Sequence, residues 1–175
     1  VWNWRDAPPG SWGGLEGRVQ LTGEGLERLQ LTGALPDDFE AAPRVFDESG
    51  IYSKQRVGSI WERQGETYVR GTAQLQPTPM TTLSQFIAAL REGDLDAAAQ
   101  WVSDQPLVEE ALGAGWSLPR PEGDRLLATG GYLEAKGEPI EFFASDDRAF
   151  HFRVHFEPDA AGWRISDLEA LPPRE

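Results

Sequence analysis

The chain of 175 residues contains no cysteine, which excludes a disulfide framework, a thiolate metal site and a cysteine nucleophile together. It has a single methionine, Met80, and begins with Val1, so the expectation is a trimmed or processed product from which a signal peptide or lipid-anchoring cysteine has gone. No run approaches the ~18 apolar residues a membrane-spanning helix needs. Basic residues are scarce: 16 Lys and Arg against 29 Asp and Glu leave a net charge of −13. That balance argues against nucleic acid, whose phosphates require cationic side chains to displace counterions. It disfavours anionic membrane surfaces for the same reason, and its plainest consequence is solubility through self-repulsion. Gly-Lys-Ser/Thr phosphate loops, the G-x-S-x-G elbow and the H-E-x-x-H pair are all missing.

What is present is most informative at Thr81–Asp104, TTLSQFIAALREGDLDAAAQWVSD. Thr82 is read as an N-cap, with Gln85 completing a capping box. Leu83, Phe86, Ile87 and Leu90 then fall at i, i+3, i+4 and i+7, one buried helical face. Gly93 stands where a left-handed C-terminal residue is wanted, and Asp94 is a good N-cap for a second helix carrying Leu95, Ala98, Ala99 and Val102 inward. A third short helix is expected from Pro106 through Leu112 to a stop at Gly113. Three short amphipathic helices need a sheet to cover.

Before this stretch, Val1–Gly14 reads as a leader segment, broken by Pro-Pro-Gly and Gly-Gly, with Trp2, Trp4 and Trp12 expected to dock on the body. Leu15–Gln76 reads as β: Val19 and Leu21, Leu29 and Leu31, and Val69, Ala73 and Leu75 each alternate with polar residues. Gln76-Pro77-Thr78-Pro79 is the linker candidate, because two prolines discourage ladder and helix alike. The expected organisation is thus residues 1–14, 15–79 and 80–175. Strands return after Pro119: Arg125–Thr129, Gly131–Ala135, Ile140–Ala144, Ala149–Glu157 and a last one opening at Trp163 and Ile165. Helices followed by an antiparallel meander predict an α+β fold with the helices on one face of a curved sheet.

Two resemblances attach to these motifs. Leu15-Glu16-Gly17-Arg18-Val19, Asp47-Glu48-Ser49-Gly50-Ile51-Tyr52 and Thr67-Tyr68-Val69 make the first half resemble transthyretin-like or carboxypeptidase-regulatory-like β-sandwich domains, with Pro36–Pro43 as a departure. Such domains are mostly structural or adhesive. Phe86–Trp101, FIAALREGDLDAAAQW, and Gly162–Leu168, GWRISDL, make Thr81–Leu171 resemble the nuclear-transport-factor-two-like superfamily, the cone-shaped α+β fold, and its small bacterial envelope members in particular. That superfamily includes ketosteroid isomerases, polyketide cyclases, dehydratases and many non-enzymatic binding or dimerisation modules, so the likeness implies a fold and leaves the activity open.

Candidate site residues follow from the strand Ala149–Glu157. Phe150, Phe152, Val154 and Phe156 alternate with His151, Arg153 and His155. The apolar series is expected to face the helices, which puts both histidines and Arg153 on the outer face, solvated or in a dimer interface. Four residues of strand separate the histidines by about 13 Å, too far to share a metal ion. The paired acids Asp37-Asp38, Asp47-Glu48, Glu109-Glu110 and Asp146-Asp147 suit turns and helix ends, and none fits a calcium loop. A pocket under the helices is expected to be lined by Phe86, Trp101, Trp116, Tyr132 and Phe152, a set that suits an apolar ligand and equally a plain core. Enzymes of the cone fold place an acid or histidine base in that pocket, and no such residue maps onto the inward positions here. The resulting expectation is a non-catalytic envelope protein without metal or cofactor that binds a protein partner or an apolar small molecule. The alternatives are a cyclase, isomerase or lyase, and a structural homodimerisation module.

Overall fold

The structure, a computed structural model, describes residues 16–22, 25–34, 42–46, 55–65, 67–130, 137–145 and 149–173. The chain divides into two compact units, one within Val1–Phe39 and Gln55–Gln76 and the other within Glu40–Lys54 and Pro77–Glu175. The expected leader, the D-x-x-G-x-Y hairpin and the Gly131–Ala135 strand lie outside the described residues.

The first unit is an antiparallel meander of β1 (Glu16–Thr22), β2 (Gly25–Ala34), β3 (Arg56–Gln64) and β4 (Thr67–Leu75), in that spatial order. The alternating residues of β1 and β2 meet in register, Val19 opposite Leu29, before a bulge at Gln20/Leu21. The β3–β4 hairpin closes at Gln64 opposite Thr67, where Gly65 supplies the positive φ of 67° that a tight primed turn requires.

The second unit opens with α1 (Pro79–Glu92), which starts earlier than the capping-box reading. Thr78, with extended backbone, is the N-cap: its hydroxyl accepts from the Thr81 amide at 3.2 Å, and Pro79 occupies the first helical position. Pro79, read as a breaker, thus initiates the helix, since a proline there loses no hydrogen bond and has its φ preset. Thr82 falls inside the helix, buried, with its hydroxyl donating to the Trp163 carbonyl at 3.1 Å. Leu83, Phe86, Ile87 and Leu90 are all buried, as their spacing predicts.

The joint after α1 is a Schellman turn: Gly93, at φ 75°, donates to the Leu90 carbonyl and Asp94 to the Ala89 carbonyl, at 3.2 and 3.0 Å. Asp94 then caps α2 (Leu95–Ala99), its carboxylate accepting from the Ala97 amide at 2.9 Å. Ala98 and Val102 point inward, whereas Leu95 is 45% exposed. A five-residue helix presents one turn to its neighbours, and Leu95 at its first position lies beyond it. Helix α3 (Pro106–Gly113) ends in the same device, but its left-handed residue is Gly115, φ 81°; Gly115 and Trp116 donate to Leu112 and Ala111 at 3.0 and 3.1 Å. The residue after the glycine in this motif usually packs back on the helix. Here it is Trp116, only 2% exposed.

The helices accompany a second antiparallel sheet of β5 (Leu126–Gly130), β6 (Ile140–Ala144), β7 (His151–Asp159) and β8 (Gly162–Ala170), again in sequential order. The unit is therefore α+β. A bulge shifts the register so that His155 faces Asp167 while Phe156 faces Ile165. Ile165 and Leu168 are three residues apart and would point to opposite faces of a regular strand; the extra residue turns both inward, at 0% and 7% exposure. Each edge strand carries one parallel bridge, Phe46 to Leu126 on β5 and Val102 to Ile165 on β8.

Candidate functional site

The interior of the second unit is aromatic. Phe142 on β6 is fully buried and touches four rings: Phe46 at 5.8 Å, Trp116 at 4.6 Å, Phe150 at 5.7 Å and Phe152 at 5.7 Å. Three of these four contacts are edge-to-face, the arrangement favoured by ring quadrupoles. Of the five residues read as pocket lining, Phe86, Trp116 and Phe152 are brought together, with Trp116 at 6.0 Å from Phe86 and 5.2 Å from Phe152. Trp101 packs on the edge of the cluster, and Tyr132 lies outside the described residues. Two polar atoms are caught among the buried groups: Trp116 Nε1 and Ser84 Oγ have no hydrogen-bond partner among the described residues.

The sequence reading missed the hub. Phe142 alternates with the polar Glu141 on a strand of five residues, too short for periodicity to single it out. Its neighbour Phe143 stands on the other face, paired with His151.

That other face carries His151, Arg153 and His155, as expected from the alternation, but the expected solvation fails at His151. This side chain is buried, because the chain after β8 folds over it: the Leu171 amide donates to the His151 carbonyl at 2.9 Å, and Nδ1 lies 3.1 Å from the Pro172 carbonyl. The Phe143 ring covers another side at 5.9 Å. Glu141, Arg153 and Glu169 stand opposite one another on β6, β7 and β8. Arg153 donates to Glu141 Oε1 at 3.2 and 2.7 Å and to Glu169 at 3.0 Å. The hydrogen bond to Glu141, followed by the charge of Glu169, holds its guanidinium above the usual pKa. His151 and His155 extend the row, each 3.6 Å from Glu141 and Glu169 respectively, beyond hydrogen-bond length.

A third place was not anticipated. An open cleft of about 410 Å³ in the second unit is lined, among the described residues, by Arg44, Val45, Phe46, Arg91, Arg120, Asp124, Arg125 and Leu126. Each arginine is delivered by a different local device. Arg44 precedes the bridging residue Phe46 by two positions. Arg91 sits in the last turn of α1, where a cation also suits the helix dipole. The guanidinium of Arg120 lies 3.9 Å over the ring of Phe150, with Nη1 at 3.5 Å from Asp124 Oδ2. Arg125 is clamped through its backbone, its amide donating to Ser145 Oγ at 3.3 Å and its carbonyl accepting from the Ser145 amide at 2.9 Å. Asp124, the one acid among the described lining residues, also accepts from the Ser145 hydroxyl at 3.3 Å. Partial desolvation, and then the nearby charge of Arg120, lower the pKa of the Arg91 guanidinium from its ordinary value. No spacing rule finds this cluster, since its members span Arg44 to Arg125 and meet only after folding.

Among the described residues no group of three or more His, Asp or Glu is placed to hold a metal ion, and no helix is long and apolar enough to cross a membrane. Compared with protein-family models, with curated proteins and with solved structures, the chain finds no match.

Proposed function

We propose that this protein is a non-catalytic binding module of the bacterial cell envelope, and that its second unit receives a small molecule at the arginine-lined pocket. The observation carrying this reading is that pocket itself. Its volume of about 410 Å³ falls in the range of small-molecule sites. Its polar groups suit holding better than turnover: a guanidinium stays protonated and cannot serve as a base, and the one carboxylate among the described lining residues, Asp124, is engaged by Arg120 and Ser145.

The other readings have less behind them. A cyclase-like or isomerase-like enzyme needs a titratable side chain beneath the helices, and among the described residues the buried cluster there includes the apolar Phe86, Trp116, Phe142 and Val154. A dimer built on the outer sheet face would use Arg153, whose charge is already matched within its own sheet by Glu141 and Glu169. The likeness of Phe86–Trp101 and Gly162–Leu168 to nuclear-transport-factor-two-like envelope proteins supports the envelope assignment, and the likeness of the first half to β-sandwich modules agrees with a non-catalytic role.

The test is a turnover screen of the whole chain against esters, ketosteroids and lactones, run beside a thermal-shift screen of the same compounds. Stabilisation without turnover is expected. Turnover abolished by Asp124→Asn or His151→Gln would replace this proposal with an enzymatic one.

A further inference from the structure

We draw no further inference here: the strongest candidate, the buried His151 imidazole beneath the Leu171–Pro172 segment on the outer face of the second sheet, carries nothing, because the charged residues flanking its strand and that segment, Asp146, Asp147, Arg148, Arg174 and Glu175, lie outside the described residues and the charges facing the ring are therefore undefined.

Discussion

Phe142 shows how much one side chain holds in place. It is fully buried, and its ring is met by Phe46, Trp116, Phe150 and Phe152, so truncation opens a void bordered by rigid rings that relax poorly. Phe142→Ala should cost about 3–5 kcal/mol, measured as a lower urea midpoint at unchanged slope. A loss below about 1 kcal/mol would mean the cluster collapses onto the gap. Single residues also separate what can be read in advance from what cannot. His151 and His155 share one strand face and one side-chain chemistry, yet the first is buried and the second half-exposed. The difference comes from Leu171 and Pro172 folding back over His151, a contact between positions about twenty apart that alternation along β7 cannot encode.

At the scale of elements, the hairpin joining β7 and β8 is the clearest case of local chemistry setting local structure. Gly162 has φ 137°, and a methyl group there would fall on the Pro77 ring, so glycine is required by backbone and space together. Asp159 begins the turn. Its carboxylate is held below the ordinary range first by the Ala160 amide, then by the Arg164 guanidinium at 3.1 Å and the Ala161 amide. A depressed folded-state pKa stabilises the fold above the unfolded-state value of about 3.9 and loses that contribution as the pH falls through the folded one. Asp159→Asn should therefore lower the urea midpoint at pH 7, and the gap to wild type should close on acidification below about pH 4. A gap that persists at pH 3 would assign the effect to lost geometry instead of charge. The helices were legible for similar reasons: Gly93, Asp94 and Pro106 act within a turn of themselves. The start of α1 was not, because Thr78-Pro79 reads equally as a linker and as a cap followed by a first helical residue, and burial of Met80 and Thr81 decides for the helix.

For the whole molecule the dominant bulk property is the charge of −13, set against surface ion pairs such as Arg153 with Glu169. Exposed pairs are each worth roughly 0–1 kcal/mol, while self-repulsion is summed over the entire surface and screened by salt. The melting temperature should thus rise as sodium chloride goes from about 10 mM to about 500 mM, where the Debye length falls to a few ångströms; a fall would show that local pairs outweigh net repulsion. The sequence alone determined the acidic balance, the exclusion of cysteine chemistry, the α+β order of the second unit and the inward set of its helices, because each depends on composition or on spacing within a few residues. Only the tertiary structure decided that Phe142 is the hub of the core, that a bulge turns Ile165 and Leu168 to the same side, and that His151 is covered. It alone gathered Arg44, Arg91, Arg120 and Arg125 around one open cleft, since residues so distant along the chain acquire a shared electrostatic field only once folding places their side chains within a few ångströms of a common space.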